Sequence, residues 1–164
     1  MNHMPSAQAS LPTGDIHDFD FLHGNWSVTN RRLRKRFAGS DDWDVFAGVQ
    51  RCEPRLGGAA NVDEINCPTR DLSGLTIRLF DRAARLWSIY WVNAKGAVLF
   101  PPVLGGFSGD AGAFYGTDDD DGIAVQVRFD WLKQGSLHAR WSQAFSRDGA
   151  AWETNWIMEF TRTV

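Results

Sequence analysis

Residues 123–131 read IAVQVRFDW, and the regular alternation of their side chains decides the class of fold. The apolar members of the stretch are Ile123, Val125, Val127, Phe129 and Trp131. The residues between them include a glutamine, an arginine and an aspartate. Successive side chains of a β-strand point to opposite faces, so this stretch predicts a strand with one face buried in a core and the other face hydrated.

The chain from Asn25 onward consists of similar short runs separated by turn residues, without a 3.6-residue apolar period. Asp121-Gly122 and Asp148-Gly149 supply the glycine that tight hairpin turns favour, so neighbouring strands are expected to pair as an antiparallel meander. The predicted strands cover residues 25–37, 43–54, 59–66, 73–80, 86–93, 97–100, 105–109, 112–117, 123–132, 136–146 and 151–162.

A meander of this length has two edge strands, and closing the first strand onto the last removes both edges. We therefore predict an all-β fold, a closed antiparallel meander β-barrel of about ten strands with a central cavity. A two-sheet sandwich is the alternative. Residues 15–23, DIHDFDFLH, space apolar side chains three apart and predict a short N-terminal helix. Residues 1–14 are expected to form a disordered tail before a single domain, residues 15–164.

Composition excludes several classes of function. A formal net charge of −3 and a pI near 5.7 offer no basic footprint for nucleic acid. No apolar run approaches the roughly 20 residues that span a bilayer, and the first residues lack a secretory leader pattern, so we expect a cytoplasmic protein without a membrane partner. Cys52 and Cys67 are expected to be reduced, although a bridge between adjacent strands is left open.

The sequence carries five segments that together suggest a family. They are HDFDFLHGNWSVTNRRL (17–33), LGGAANVDE (56–64), TIRLFDRAARLWSIYW (76–91), FPPVLGGFSGDAGAFYG (100–116) and ARWSQAFSRDGAAWETNWIMEFTR (139–162). The first resembles the short helix and Gly-x-Trp opening of calycins, and the whole pattern resembles lipocalin-like bacterial proteins of the DUF1579 group, whose function is unknown. The resemblance implies a barrel with an interior pocket for a small, largely apolar molecule.

Nitrobindins are among the barrels related to this group, and they hold haem through a barrel histidine. Alternation in residues 136–141 turns His138 outward and Leu137 inward, and His3, His17 and His23 precede the barrel. We therefore expect no haem cofactor. The histidine and cysteine spacing also predicts no zinc site.

The first predicted strand contributes three candidate ligand-binding residues, Trp26, Asn30 and Arg32. In the calycin pattern the tryptophan of Gly-x-Trp closes one barrel end, and alternation brings Asn30 and Arg32 to the same inner face. An inward guanidinium must be paired or hydrated. Arg32 therefore either stacks on an aromatic ring or clamps an acidic group of a ligand.

The segment after the Gly57-Gly58 turn contributes Asp63 and Glu64, which point to opposite faces, so one carboxylate is expected to lie inside. That carboxylate either forms a buried ion pair with Arg32 or Arg78, or acts as a general base with a raised pKa. The sequence does not decide which face of this strand is the inner one.

Later strands complete the predicted site with Trp91, Trp131, Trp141, Gln143 and Asn155. Asn155 joins the inner set only if the break in alternation at Ile157 marks a change of face. The strand LWSIYWVN (86–93) has bulky residues on both faces, so a homodimer through its outer face is expected.

These residues support three functions. The first is binding of a small apolar or aromatic ligand inside the barrel, without catalysis, cofactor or metal. The second is a cofactor-independent isomerase or cyclase that uses the inward carboxylate. The third is a dimeric interaction domain with a solid core. The sequence identifies no catalytic residue, because it shows no second acid, nucleophile or oxyanion hole.

Overall fold

Ten antiparallel strands make up most of residues 10–164, which are the residues that the computed structural model describes. They are β1 (Gly24–Leu33), β2 (Trp43–Arg55), β3 (Ala60–Cys67), β4 (Leu72–Asp81), β5 (Leu86–Asn93), β6 (Val103–Ser108), β7 (Ala111–Asp120), β8 (Ile123–Gln134), β9 (His138–Ser146) and β10 (Glu153–Thr163). Each strand pairs with the next, and β1 also pairs with β10, so the sheet closes. The predicted closed meander barrel is confirmed.

Alternation in β8 produces the expected inner face. Val125, Val127 and Trp131 are buried, whereas Ile123 at the start of the strand is 47 % exposed. The inner faces of all ten strands meet in one aromatic core, which also takes up Phe19 from the segment before β1. The segment before β1 covers one end of the barrel, which we call the closed end. The long loops after β1 and β5 lie at the opposite end, which we call the open end.

The expected N-terminal helix is not seen, since residues 16–19 form turns and only Asp20–Leu22 forms a single 3₁₀ turn. Aspartate side chains replace helical bonding here: Asp18 accepts the backbone N–H of Asp15 at 2.9 Å, and Asp15 accepts that of His17 at 2.9 Å. Such local bonds compete with a helix. Asp18 also accepts the N–H of Phe107 in β6 at 3.1 Å, which fastens the segment to the barrel.

Residues 1–9 of the predicted tail lie outside the described residues. Gly14, at the end of the predicted tail, is buried and donates its backbone N–H to the carbonyl oxygen of Arg85 at 2.8 Å. Two further 3₁₀ turns, Leu56–Gly58 and Pro68–Arg70, connect strands.

Several strand predictions are wrong in detail. Residues 97–100 form part of the loop between β5 and β6, where the Asn93 side chain accepts the N–H of Gly96 at 2.7 Å and two prolines follow without N–H donors. The first strand stops at Leu33 instead of residue 37, because residues 34–38 form a bend in which Phe37 adopts φ 55°. The β9 strand begins at His138, so Leu137 lies in the turn before it and is exposed.

Among residues 10–164 there is no helix long and apolar enough to cross a membrane.

Candidate functional site

An inner chamber with a volume of about 70 Å³ lies within the barrel. Six aromatic rings line it: Trp91, Phe129, Trp131, Trp141, Trp156 and Phe160. Its polar lining residues are Gln50, Asp63, Thr76, Arg78 and Gln143. An apolar wall with a few placed polar groups is the usual composition of a small-molecule site.

A second space, the mouth chamber, adjoins the inner chamber at the open end and has a volume of about 180 Å³. The two share the side chains of Ile89, Trp91, Phe129, Gln143 and Trp156. The mouth chamber is also bordered by residues nearer the open end. They are Arg32 near the end of β1, Arg36 in the loop after it, Phe100 and Pro101 in the loop between β5 and β6, and Asp120 at the end of β7. The two chambers therefore lie next to each other, with the shared side chains between them.

Asp63 and Arg78 form an ion pair in the wall of the inner chamber. The Nη1 atom of Arg78 donates to Oδ2 of Asp63 at 2.5 Å and to Oδ1 of Asn61 at 2.9 Å. Asp63 is 2 % exposed and Arg78 is 3 % exposed. The guanidinium also lies over the ring of Phe19, with Cζ 5.0 Å from its centroid. The Asp63–Arg78 alternative left open by the sequence is therefore the observed one.

Burial raises the pKa of Asp63 above its ordinary value, because removal from water penalises the charged form. The positive charge of Arg78 and the hydrogen bonds from Arg78 and Thr76 oppose this rise. Removal from water is the largest of these effects, so pairing with Arg78 does not bring the pKa of Asp63 below its ordinary value.

Five buried side-chain nitrogens have no hydrogen-bond partner among residues 10–164: Gln50 Nε2, Asn61 Nδ2, Arg78 Nε, Trp131 Nε1 and Asn155 Nδ2. Gln50, Arg78 and Trp131 line the inner chamber. Buried polar groups are almost always paired, so these three nitrogens need an acceptor that the side chains and backbone of residues 10–164 do not provide.

The predicted residues of β1 have different roles. Trp26 closes the barrel, donating its indole N–H to the carbonyl oxygen of Leu22 at 2.8 Å, and it does not line the inner chamber. Asn30 accepts the indole N–H of Trp156 at 3.0 Å and so orients a wall of the chamber. Arg32 stacks over that same ring, with Cζ 4.4 Å from the centroid, and borders the mouth chamber.

Trp91, Trp131, Trp141 and Gln143 all line the inner chamber. Trp91 fits because Gly74 lies beneath its ring: a Cβ at Gly74 would lie 1.7 Å from Cη2 of Trp91. Any side chain on this residue of β4 would therefore push the indole out of its place.

Asn155 also faces inward, and the irregularity that turns it lies between Thr154 and Trp156, before the predicted break. This β-bulge puts Asn155 and Trp156 both inside, and Asn155 accepts a hydrogen bond from Gln143 at 2.8 Å. Asn155 borders the mouth chamber.

Glu64 lies on the outer surface, so its assignment to the ligand site is corrected. Alternation in β3 sends Asn61, Asp63 and Ile65 inward and Glu64 outward, where it accepts a hydrogen bond from Asn66 at 3.2 Å. Sequence reasoning also missed Gln50, Thr76 and Trp156 as lining residues. For Gln50 a signal existed, since it alternates in phase with Phe46, Gly48 and Cys52 along β2.

His138 is exposed, as expected from alternation, and His3 lies outside the described residues. Within residues 10–164 no three histidine, cysteine, aspartate or glutamate side chains come together as a metal site.

Cys52 and Cys67 are free, buried thiols. Burial raises the pKa of Cys52 to about 12 and also raises the pKa of Cys67. Because the thiolate is the reactive species, we expect neither cysteine of the folded protein to react with a disulfide reagent at neutral pH, and both to react after unfolding in guanidinium. A spectrophotometric thiol titration measures this, and one rapid equivalent in the native state would contradict it.

An ion pair between Arg36 and Asp120 borders the mouth chamber. Arg36, in the loop after β1, donates Nε to Asp120 Oδ1 at 3.0 Å and Nη2 to the same oxygen at 2.5 Å. Hydrogen bonding to Arg36 holds the pKa of Asp120 below its ordinary value. Asp120→Asn should therefore lower the free energy of unfolding by about 1–2 kcal/mol at neutral pH, as measured by urea denaturation.

The pH dependence of this loss follows from the sign of the shift. A carboxyl with a lowered folded-state pKa adds stability above its unfolded pKa, and that stability disappears as the pH falls through the folded value. The difference between wild type and Asp120→Asn should thus shrink in acid. Asp121→Asn, on the same hairpin but outside the ion pair, is the control, and an equal loss in that variant would refute the assignment.

A comparison with protein-family models found no match, and a comparison with curated proteins found no similar sequence.

Proposed function

We propose that this protein binds a small, largely apolar or aromatic molecule inside the barrel. The observation that carries the proposal is the inner chamber, where aromatic rings surround buried nitrogen donors that have no partner among residues 10–164. A solid core would fill this space with side chains. Apolar lining with a few polar contacts suits binding and orientation of a ligand.

The sizes of the two chambers limit the shape of the ligand. A cavity of about 150 Å³ is known to take benzene, whereas the inner chamber measures about 70 Å³. The ligand therefore places one end in the inner chamber and its remainder in the mouth chamber of about 180 Å³, past the rings of Trp91 and Trp156. This shape favours a ligand of one ring with a short substituent over a fused polycycle.

We also propose that the chain belongs to the lipocalin-like calycins of the DUF1579 type. The support is the ten-stranded meander barrel, together with the position of Trp26 under the 3₁₀ turn at the closed end, where the Gly-x-Trp resemblance leads one to expect it. The cytoplasmic location expected from the sequence stays a prediction.

Native mass spectrometry of the protein purified from its own host, compared with its denatured mass, tests the binding proposal. A retained mass of a few hundred daltons that dissociates on unfolding supports it, and accurate mass then identifies the ligand. An absorption spectrum of the same sample detects any haem. A barrel that arrives empty and takes up no member of an aromatic fragment collection would refute the proposal.

Proton transfer is a second candidate function, and the raised pKa of Asp63 beside the inner chamber is what favours it. Asp63 would take a proton from a carbon next to a carbonyl group and return one from solvent. Deuterium incorporation into the methyl group of acetophenone in heavy water measures this exchange. In Asp63→Asn the rate of deuterium incorporation should fall to that of buffer alone. A rate that stays above this background would exclude Asp63 as the base and with it the isomerase class.

The third candidate, a homodimer through the outer face of β5, stays a prediction. The support is a row of outward apolar cross-strand pairs, Leu75 with Val92 and Ile77 with Tyr90. Light scattering behind a sizing column measures the mass in solution, and a monomer at high concentration would exclude the dimer.

A further inference from the structure

We infer that the inner chamber holds an uncharged carbonyl group of the ligand, which accepts hydrogen bonds from Arg78 Nε and Trp131 Nε1. This inference rests on the proposed binding function and names the chemical class of the ligand: an aromatic ketone, aldehyde or amide, in preference to a hydrocarbon or a carboxylate.

The type of the unpaired atoms sets the first requirement. Arginine and indole nitrogens carry hydrogen and never accept, so Arg78 Nε and Trp131 Nε1 can be satisfied only by an acceptor. Gln50, the third residue of the chamber with an unpaired nitrogen, adds another donor from β2. A hydrocarbon would leave all three donors buried and unpaired, which is unfavourable.

The positions of the donors set the second requirement. The Cζ atom of Arg78 lies 5.7 Å from the centroid of the Trp131 ring, so the two donors belong to neighbouring side chains of one wall. A carbonyl oxygen has two lone pairs, so a single ligand group has enough acceptor capacity for both donors. The rings of Phe129, Trp141 and Trp156, which also line the chamber, would then contact the aromatic part of the ligand.

Charge sets the third requirement. Asp63 already compensates Arg78, with 2.5 Å between the donor and acceptor atoms, so the wall as a whole is neutral. A ligand carboxylate would add a second negative charge beside Asp63 in an apolar chamber, where an uncompensated charge is strongly disfavoured. An uncharged acceptor satisfies the donors without this cost.

Three probes of similar size separate the possibilities at neutral pH: acetophenone, ethylbenzene and ionised benzoate. We expect acetophenone to bind at least about tenfold more tightly than ethylbenzene, the factor that one good hydrogen bond provides, and more tightly than benzoate. Proton–nitrogen correlation spectra give the second readout: acetophenone should shift the indole N–H resonance of Trp131, and ethylbenzene should shift it much less.

Trp131→Phe keeps an aromatic wall but removes the donor, so it should reduce the ratio of acetophenone to ethylbenzene affinity several-fold. Trp141→Phe is the matched control, since Trp141 lines the same chamber and its nitrogen is not among the buried unpaired donors. It should weaken both probes alike and leave their ratio unchanged. If Trp131→Phe fails to fold, the shift of the Trp131 indole resonance in the wild-type protein, compared between acetophenone and ethylbenzene, provides the test.

Each outcome has a definite meaning. Equal affinities for acetophenone and ethylbenzene would overturn the carbonyl inference and leave the binding function standing, with water as the partner of the donors. Tightest binding of benzoate would overturn the requirement for an uncharged group. Failure of all three probes to bind would count against the proposed function itself.

Discussion

Asp63→Leu is expected to lower the free energy of unfolding by about 3–5 kcal/mol, because it leaves the Arg78 guanidinium buried without a counter-charge. Arg78 is 3 % exposed and its Nη1 bonds both Asp63 and Asn61, so the side chain cannot turn to water without opening the barrel wall. Equilibrium urea denaturation, followed by tryptophan fluorescence, measures the loss. A change below about 1 kcal/mol would show that Arg78 finds another partner.

The adjacent residue of the same strand provides the control. Glu64 is exposed on the outer face of β3, so Glu64→Leu should change stability by no more than about 0.5 kcal/mol. The double variant Asp63→Leu with Arg78→Met should recover most of the single-variant loss, since replacing a buried ion pair by apolar side chains is often neutral or stabilising. A double variant as unstable as Asp63→Leu would contradict this expectation and show that the ion pair itself stabilises the fold.

Phe19→Ala is expected to cost about 3–5 kcal/mol, the range for removing a large buried aromatic side chain. Phe19 is 1 % exposed, and its ring contacts Trp87 with 5.1 Å between centroids and Phe107 with 5.2 Å. It also covers the guanidinium of Arg78. The variant therefore removes packing at the closed end and opens the inner chamber from that side, which thermal unfolding and a fluorescent apolar dye together detect.

Phe19→Leu separates these two effects. It retains most of the apolar volume and should cost clearly less than Phe19→Ala, without increased dye binding. Equal losses in both variants would show that the aromatic contacts with Trp87, Phe107 and Arg78 matter more than the volume that Phe19 fills.

The ion pair has a consequence for function. Perturbed pKa values cluster at functional sites, and burial raises the pKa of Asp63 at the wall of the inner chamber. Asp63 and Arg78 neutralise each other while leaving Arg78 Nε unpaired at the wall of the inner chamber. The pair thus combines a neutral wall with a free donor, which is the combination that an uncharged acceptor requires.

Local side-chain patterns allowed the fold to be predicted. The alternation in IAVQVRFDW marks β8, and the glycines at Asp121-Gly122 and Asp148-Gly149 mark hairpins that the structure has between β7 and β8 and between β9 and β10. Strand alternation also put His138 outside and Trp131 inside. These features depend on a period of two residues, which neighbouring residues carry in the sequence itself.

The sequence by itself therefore determined the class of the fold, the meander order and the inner faces of the regular strands. Tertiary structure alone decided that Asp63 and not Glu64 faces inward, that Asn155 turns inside at a bulge, and that Asp18 fastens the N-terminal segment to Phe107 of β6. The unpaired donors of Gln50, Arg78 and Trp131 likewise emerged only when three distant strands came together. The physical reason is that partnership and burial depend on contacts across the barrel, whereas alternation is a property of each strand alone.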